Sequence, residues 1–292
     1  MNIAITGGTG FLGRYIVNHF LEGGHRVKTW ARPSSDRGGF VKDEGLEFIE
    51  GELGDEATIE PLITGADVLV HAALARGGRP REWVAMNVLP SMRLFEAAIS
   101  AGVKRTIFIS TCAVHDRILE DRPLDEAHPL WARSHYGAHK AAIEKFIHSL
   151  GLGEGYPVCA LRPTGIFGLR RPVEDGRWVQ VVRDVLEGRR IDDAAGGKEV
   201  HAADVARAVG ILSEAPEKKI VGEAFNCYDQ YVSHETVARI AQQIAGTESD
   251  IVAHGTEPKH QIRTDKIESL GMRFTGDDAL RQYVSELVEQ LR

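Results

Sequence analysis

Cysteine is scarce in this chain of 292 residues, and the cysteines stand far apart in the sequence. They are Cys112, Cys159 and Cys227, and no CxxC spacing occurs. Disulfide frameworks and most structural zinc sites need numerous or closely paired cysteines. The sequence therefore predicts neither a metal site nor disulfide bonds, and it is typical of a reducing compartment.

Long hydrophobic runs are absent as well. The longest apolar stretch, residues 68–75, is interrupted by His71 and is far shorter than the roughly 20 residues that span a bilayer. The first residues enter a strand pattern at once, without the basic segment and apolar stretch of a signal peptide. We therefore expect a cytoplasmic protein with no targeting segment and no membrane partner.

The chain also lacks a large excess of one charge. Its 35 basic and 42 acidic side chains give a formal net charge of −7, and 43% of its residues are hydrophobic. These values are ordinary for a globular protein and exclude extensive disorder. They give no indication of a nucleic-acid partner, which would favour a strongly basic surface.

Short apolar runs alternate with amphipathic stretches over the first 160 residues. The runs predict strands at residues 2–6, 26–30, 46–49, 68–71, 106–109 and 158–161. The amphipathic stretches predict helices at residues 11–21, 56–63, 83–101 and 136–150. Such alternation is typical of an α/β protein with a doubly wound parallel sheet, the Rossmann arrangement.

The pattern changes after Arg162, where prolines and glycines interrupt the chain. Helices are predicted beyond this point at residues 178–187, 203–212, 234–245 and 277–291. We therefore predict a nucleotide-binding domain over residues 1–162, with a return segment around 199–226. Residues 163–198 and 227–292 would form a smaller C-terminal substrate-binding lobe.

A glycine-rich turn joins the first predicted strand to the first predicted helix. Gly7, Gly10 and Gly13 stand three residues apart, and the helical pattern opens at Phe11. The first glycine permits a tight turn, the second lets the backbone approach a pyrophosphate, and the third allows close packing of helix on strand. The helix N-terminus would present N–H groups and a partial positive charge to the phosphates. The turn therefore predicts dinucleotide binding.

The end of the second strand distinguishes NAD from NADP. An acidic residue there binds the 2′-hydroxyl of NAD, whereas an arginine accommodates the 2′-phosphate of NADP. This chain has Arg32 at that point and no acid before Asp36, with Ser34 and Ser35 available to assist. We therefore favour NADP over NAD, the alternative being a solvated arginine beside Pro33.

Tyr136 and Lys140 lie four residues apart on a predicted helix, which places both on one face. An ammonium group near a phenol stabilises the phenolate, so the pair can donate and accept a proton near neutrality. Ser110 and Thr111 follow the strand at 106–109, and open α/β sheets bind ligands at that end. A hydroxyl group there can bind the oxygen on the reacting carbon.

Several segments together resemble one family. They are TGGTGFLG at 6–13, HAAL at 71–74, Asn87, ISTCAV at 109–114, YGAHKAAIE at 136–144, LRPTGIFG at 161–168 and VHAADVARAV at 200–209. In their order and content the chain resembles the extended short-chain dehydrogenase/reductases, and in particular the NAD-dependent epimerase/dehydratase group. The resemblance implies that Tyr136 is the acid/base and that Lys140 binds the nicotinamide ribose and lowers the tyrosine pKa. It also implies Thr111 as the catalytic hydroxyl, with Ser110 as the alternative.

The same resemblance implies a set of cofactor contacts. Besides Arg32, Tyr136 and Lys140, they are Gly7, Gly10, Phe11, Leu12, Gly13, Glu52, Leu53, Ala72, Ala73, Asn87, Arg162 and Pro163. In this set Glu52 stands where the family usually carries aspartate. The residues Arg162 and Pro163 open the segment over the nicotinamide.

The chain also departs from the family pattern. His115 and Asp116 replace a tyrosine and a glycine. We expect His115 to titrate near neutrality, either as a substrate contact or second acid/base, or as a polar loop histidine. Family members that act on nucleotide-diphosphate sugars usually carry an arginine shortly before the VHVxD segment. Here Lys198 lies at a neighbouring position, which weakens the case for such a substrate.

Arginines cluster in two loops expected at the carboxyl edge, at positions 76, 79 and 81 and at positions 170, 171 and 177. They indicate either an anionic small-molecule substrate or a solvated surface. The helices at 83–101 and 136–150 match those that form a dimer interface in the family. The resemblance therefore implies a homodimer.

Together these features predict hydride transfer between NAD(P) and a hydroxyl-bearing carbon of a sugar-like or small carbonyl substrate. The outcome is either net oxidation or reduction, or epimerisation or dehydration of a nucleotide sugar through a transient keto intermediate. A non-catalytic sensor of dinucleotides is the alternative from a different class. It would have no need of Tyr136 and Lys140.

Overall fold

A parallel sheet organises the larger part of the protein, and the computed structural model describes residues 1–41 and 44–292. The strands are β1 (Asn2–Thr6), β2 (Arg26–Ala31), β3 (Leu46–Glu50), β4 (Val68–His71), β5 (Arg105–Ile109), β6 (Val158–Pro163), β7 (Gly165–Phe167), β8 (Gly196–His201), β9 (Glu223–Cys227) and β10 (Gln230–Ser233). The seven-stranded sheet has the order β3-β2-β1-β4-β5-β6-β9. Every neighbouring pair in it is parallel.

Helices follow most of these strands. They are α1 (Phe11–Glu22), α2 (Ile59–Ile63), α3 (Pro80–Trp83), α4 (Leu89–Ser100), α5 (His135–His148), α6 (Val179–Leu186), α7 (Ala202–Glu214), α8 (His234–Ala245), α9 (Asp265–Glu268) and α10 (Asp277–Leu291). Two π-helical turns span Val84–Val88 and Ser149–Gly153. Turns of 3₁₀-helix lie at Glu56–Thr58, Cys112–His115, Val173–Asp175 and Glu217–Lys219.

The chain divides into two units. Unit 1 comprises Met1–Pro163, Val205–Cys227 and Ile262–Met272, and unit 2 comprises Thr164–Asp204, Tyr228–Gln261 and Arg273–Arg292. The chain thus enters unit 1 three times, whereas the sequence analysis expected one return segment and assigned residues 262–272 to the other lobe. The role of unit 2 as a substrate-binding lobe stays a prediction.

The strand order of unit 1 is that of a doubly wound sheet. It reverses between β1 and β4, so the crevice in which such sheets bind ligands lies at the carboxyl ends of these two strands. Helices bury both faces, and β4 and β5 are buried at every position. This agrees with their continuous apolar sequences. The predicted α/β fold with a smaller C-terminal lobe is confirmed.

The core of unit 1 is formed by large side chains from strands and helices. Leu69 of β4, Phe95 of α4, Phe108 of β5 and Ile143 of α5 belong to one cluster, and each is at most 1% exposed. Burial of each such side chain stabilises the folded state by about 1.5–3 kcal/mol. This packing fixes α4 and α5 on the sheet.

The turn before α1 needs glycine at two positions for different reasons. Gly7 has a φ of +76°, which favours glycine. A Cβ on Gly13 would lie 2.0 Å from the carbonyl oxygen of Gly7, so a side chain there cannot fit between helix and turn. No side chain caps α1 at Gly10, which leaves its N-terminus to be satisfied by other groups.

Unit 2 has its own small sheet and core. Strand β8 pairs in parallel with β7 and antiparallel with β10. Helices α6, α8 and α10 supply buried residues to a cluster with Phe167 and Trp178. The sequence analysis predicted these helices but none of the three strands.

The predicted helix at 83–101 is interrupted. It is built from α3, the π-helical turn Val84–Val88 and α4. Pro90 cannot donate a backbone hydrogen bond, and the N–H of Leu89 donates to the carbonyl of Val84, five residues back. This turn places Asn87 among the buried residues.

Candidate active site

The carboxyl ends of β1 and β4 meet in a tightly packed pair of turns. A Cβ on Gly7 would lie 2.9 Å from the nitrogen of Ala73. The hydroxyl of Thr6 accepts hydrogen bonds from the N–H groups of Ala72 and Ala73, at 3.1 and 3.0 Å. The glycine turn and the alanine turn, both predicted to contact the cofactor, therefore lie side by side.

Asn87 holds the loop that follows β4. Its Oδ1 accepts from the N–H of Ala75, and its Nδ2 donates to the carbonyl of Ala75, both at 2.9 Å. Its side chain is 1% exposed. The structure thus places Asn87 next to the predicted cofactor segment, where its amide orients the main chain.

The turn after β5 and the start of α5 are each capped by a side chain, and the two segments lie in close contact. Thr111 caps the 3₁₀ turn by accepting from the N–H of Ala113 at 3.1 Å. Ser134 caps α5 by accepting from the N–H of Gly137 at 3.0 Å. A Cβ on Gly137 would lie 2.5 Å from the carbonyl oxygen of Ala113. The absence of a side chain at Gly137 therefore lets α5 begin directly against the turn.

This approach brings two predicted catalytic residues together. The Thr111 hydroxyl lies near enough to the Tyr136 phenol to influence its pKa. Burial raises the pKa of the Tyr136 phenol, and the nearby Thr111 hydroxyl opposes this rise. The direction is opposite to the lowering expected from Lys140.

The reason lies in the position of the Lys140 amine. Its Nζ donates to the carbonyl of Ile109 at 2.7 Å and lies 4.5 Å from the ring centroid of Phe108. Burial lowers the pKa of Lys140 to about 7, while the charge of Glu144 opposes that shift. The ammonium is therefore directed at the end of β5, one helical turn from Tyr136.

Ser110 is turned away from this hydroxyl pair. It is 2% exposed and donates a hydrogen bond to the carboxylate of Glu144. Its neighbour Thr111 is the residue that contacts Tyr136. The two candidates for the catalytic hydroxyl thus face different partners.

A buried ion pair lies behind these residues. The Nε of Arg162 is 3.1 and 3.0 Å from the two carboxylate oxygens of Glu144, and a terminal nitrogen of Arg162 is 2.5 Å from one of them. Both side chains are 1% exposed. The sequence analysis did not single out Glu144. The available signal was its position four residues after Lys140, which puts it on the same helix face.

The guanidinium of Arg162 also organises the loop after β5. One terminal nitrogen donates to the carbonyl of Glu126 at 3.1 Å and to Nε2 of His115 at 3.2 Å. The thiol of Cys112 donates to the carbonyl of Arg162 at 3.0 Å, and burial raises the pKa of that thiol to about 12. Arg162 was predicted at the cofactor, and its side chain lies in the interior of unit 1.

The expectation that His115 titrates near neutrality is wrong. Its side chain is buried, and burial together with the charge of Arg162 lowers its pKa to about 4. It therefore stays neutral at physiological pH and accepts a hydrogen bond from the guanidinium. The polarity of the surrounding sequence gave no indication of this burial.

The remaining predicted cofactor residues lie at strand ends. Arg32 follows β2 and is exposed, and its N–H donates to the hydroxyl of Ser35 at 3.0 Å. Glu52 is exposed, and Leu53 is half-buried against the core. Pro163 is buried at the end of β6.

An aromatic group adjoins the tyrosine, and sequence reasoning missed it. The ring of Trp83 stacks on His139 with centroids 4.7 Å apart. The same indole meets Tyr136 edge to face at 6.2 Å. Trp83 belongs to α3 and the other two residues to α5, so no sequence spacing links them.

Residues 1–41 and 44–292 contain neither a metal-binding cluster nor a membrane-spanning helix. In that range no cluster of three or more histidine, cysteine, aspartate or glutamate side chains is arranged to hold a metal ion. In the same part of the chain, no helix has the length and apolar character that a membrane span requires.

Comparison with known proteins gives consistent matches. The model of the NAD dependent epimerase/dehydratase family matches residues 3–227. The low-salt glycan biosynthesis protein Agl12 of Haloferax volcanii is 24% identical, over 93% of this chain and 93% of that protein. A ketoreductase of Stigmatella aurantiaca, which acts on a farnesyl-dihydroquinoline oxide, is 30% identical over 73% of this chain and 65% of its own length.

A solved structure supports the same relationship at the level of the fold. The UDP-glucose 4-epimerase of Thermus thermophilus in complex with NAD superposes with a TM-score of 0.78 at 22% identity. The match covers 98% of this chain and 99% of that one.

Replacement of Glu144 tests the buried ion pair. Glu144→Gln leaves the guanidinium of Arg162 in the interior without a compensating charge, and we expect it to lower the free energy of unfolding by about 3–5 kcal/mol. Urea denaturation followed by circular dichroism measures the change.

The matched control is Glu56→Gln, which removes the carboxylate of an exposed ion pair with Arg93. It should change stability far less, because exposed ion pairs contribute little. Equal losses for the two variants would contradict the importance of the buried pair.

Proposed function

Because the chain belongs to the NAD dependent epimerase/dehydratase family, we propose that it uses a nicotinamide dinucleotide to transfer hydride at a hydroxyl or carbonyl carbon of its substrate. The family relationship makes the chain an enzyme of the extended short-chain dehydrogenase/reductase type. The observation that carries the specific proposal is the proximity of the Thr111 hydroxyl to the Tyr136 phenol, one helical turn from Lys140.

The residues at the carboxyl ends of β1 and β4 fit a dinucleotide. Among residues 1–41 and 44–292, only the carbonyl oxygen of Gly7, at 3.1 Å, lies within 4 Å of a Cβ built on Gly10, its two neighbouring residues aside. The space in front of Gly10 is therefore open to a phosphate, and the N-terminus of α1 has no side-chain cap. When bound, the nicotinamide supplies the acceptor or donor of the hydride.

The protein side chains would handle the proton and the oxygen. The Thr111 hydroxyl orients the substrate oxygen, and the Tyr136 phenol takes up or returns the hydroxyl proton. Lys140, with its pKa lowered to about 7, exchanges a proton near neutrality and provides positive charge one turn from the phenol. Ser110 is the weaker candidate because its hydroxyl already binds Glu144.

The substrate class follows from the relatives and from the exposed arginines. Some matched proteins are nucleotide-sugar epimerases and dehydratases, and one is a ketoreductase. Arg76, Arg79 and Arg81 are exposed around α3, which favours an anionic substrate. We propose a sugar-like or small carbonyl substrate, with unit 2 as the lobe that binds it. Net redox turnover changes the nicotinamide absorbance, whereas epimerisation converts the substrate without a net change.

Removal of the phenol hydroxyl tests catalysis. Tyr136→Phe should lower kcat about 10²–10⁴-fold, because a positioned proton donor contributes that much, and it should leave the Kd for dinucleotide nearly unchanged. Thr111→Val should lower kcat more than Ser110→Ala. Product formation with NAD or NADP over a panel of sugar nucleotides and small carbonyl compounds provides the measurement.

Tyr156→Phe is the matched control, because it removes a phenol hydroxyl that bonds a buried threonine, Thr106, at the opposite end of β5. It should retain kcat. Unchanged conversion by Tyr136→Phe would contradict the mechanism and favour the dinucleotide sensor.

The preference for NADP is part of the proposal. Asp36, the first acid after β2, is bound by Arg14 at 3.0 Å and by the N–H of Gly38 at 2.8 Å. This leaves the exposed Arg32 as the charged group at the strand end, and a guanidinium suits a 2′-phosphate.

Arg32→Ala should weaken NADP binding about tenfold, the loss expected for one charge-assisted hydrogen bond, and change NAD binding about twofold or less. Isothermal titration calorimetry with both dinucleotides measures this. Arg37→Ala, in the same loop and stacked over Phe48, is the control. Equal affinity of the wild type for both dinucleotides, or a preference for NAD, would contradict the proposal.

We also propose a homodimer through the surface formed by α4, α5 and the preceding π-helical turn. Leu94, Phe95, Ala98, Ile143 and Ile147 are buried in the core of unit 1. Other apolar side chains of this surface are exposed by 41–53%, and they are Val84, Met86, Leu89 and Phe146. An apolar group of this kind is typical of an interaction surface.

Sedimentation velocity at micromolar concentration should give a dimer, and Phe146→Glu should give a monomer. Val41→Glu replaces an equally exposed apolar residue elsewhere and should leave the dimer intact. A monomeric wild type would remove this part of the proposal.

A further inference from the structure

A chain of buried hydrogen bonds runs from β1 through His71 to the start of α4. The hydroxyl of Thr6 is 2.7 Å from Nδ1 of His71, and Nε2 of His71 is 2.8 Å from the hydroxyl of Ser91. The Ser91 hydroxyl is 2.6 Å from the carbonyl oxygen of Asn87. All four residues are 0–1% exposed, so water does not compete for these bonds.

The positions of the protons follow from the partners. The Thr6 oxygen accepts from two N–H groups, those of Ala72 and Ala73, and this uses both of its lone pairs. Its own proton therefore points to Nδ1 of His71, which must be unprotonated. Nε2 then carries the ring proton, and this N–H donates a hydrogen bond to the Ser91 hydroxyl.

The last bond in the chain has the same direction. The Ser91 hydroxyl accepts a hydrogen bond from Nε2–H of His71 and donates one to the carbonyl of Asn87. The hydrogen bonds from Thr6 through His71 and Ser91 to Asn87 thus all run in one direction. Reversal of the imidazole tautomer would place two protons between Thr6 and His71 or leave a buried N–H without an acceptor, which is costly.

The surroundings also oppose a charged imidazole. The rings of Phe95 and Phe108 lie 5.6 Å from that of His71, and the titratable groups that act on it are Lys140 and His139 of α5. Burial and the charge of Lys140 lower the pKa of His71 to about 3. A neutral imidazole next to Lys140 avoids repulsion of the ammonium.

The hydrogen bonds connect the three segments proposed to hold the dinucleotide. Thr6 immediately precedes Gly7, its hydroxyl holds the alanine turn, and Asn87 holds Ala75. We propose that His71, fixed as the neutral Nε2–H tautomer, is a positioning residue that couples the glycine turn, the alanine turn and the π-helical turn, and that this coupling sets the affinity for the dinucleotide. The proposal rests on the dinucleotide function given above.

A purely structural role would change stability but not affinity, and this difference decides the test. Thr6→Val removes the hydroxyl that accepts from both alanine N–H groups and donates to His71, with little change in volume, while the N–H of Ala72 keeps its bond to the main-chain carbonyl of Thr6. We expect its Kd for the preferred dinucleotide to rise about tenfold, as for the loss of buried hydrogen bonds. Thr6→Ser restores the hydroxyl and should bind within about twofold of the wild type.

Thr106→Val is the matched control. Thr106 is fully buried in β5, and its hydroxyl bonds Tyr156 at 2.8 Å, away from the three coupled turns. We expect it to lower the melting temperature without changing Kd. Ser91→Ala, which removes the last link only, should raise Kd by a smaller factor and serves if Thr6→Val fails to fold. The coupling would be overturned if the wild type binds the dinucleotide and both Thr6→Val and Ser91→Ala bind it equally well.

The tautomer is tested without cofactor by ¹⁵N–¹H correlation spectra of the histidine rings, with His71 assigned by its replacement with Gln. We expect an Nε2–H pattern that does not titrate between about pH 5 and 8. An Nδ1–H pattern, or titration near the ordinary histidine pKa, would overturn the proposal. Absence of dinucleotide binding by the wild type would instead contradict the proposed function and, with it, the claim about affinity.

Discussion

The buried ion pair between Arg162 and Glu144 is the interaction on which the candidate site depends most directly. It joins the last residues of β6 to α5, the helix that carries Tyr136 and Lys140. The carboxylate also binds Ser110, next to Thr111. Since a guanidinium without its partner is expensive to bury, strand, helix and loop have little freedom to separate. The ion pair between Arg162 and Glu144 therefore stabilises the relative positions of Thr111 and Tyr136.

The sequence predicted the parts of the fold in which local pattern and tertiary environment agree. Strands β1 and β4 were predicted at their observed bounds because both are short, continuous apolar runs that become buried on both faces. Strands β7 and β8 were missed. β7 has three residues and β8 begins with two glycines, and they form strands by pairing, β7 with β8 and β8 also with β10.

The same distinction applies to the site. The closeness of Thr111 and Tyr136 was expected because each lies at a feature with a sequence signature, a strand end and a helix face. The partners of Arg162 could not be predicted, because they come from distant segments that only the fold brings together. His115 was misjudged for this reason, since its low pKa results from Arg162 and from burial. The direction of the Tyr136 shift likewise depends on burial, which the spacing to Lys140 does not reveal.

The path of the chain through unit 1 has a consequence for biosynthesis. The third segment of that unit, Ile262–Met272, supplies the carbonyl of Arg263 to the side chain of Asn226 and the amine of Lys266 to the carbonyl of Ala224. The ribosome synthesises these residues after the rest of unit 1. The edge strand β9 must therefore wait for its last partners during translation, and nascent chains arrested before this point would expose it to chaperones and proteases.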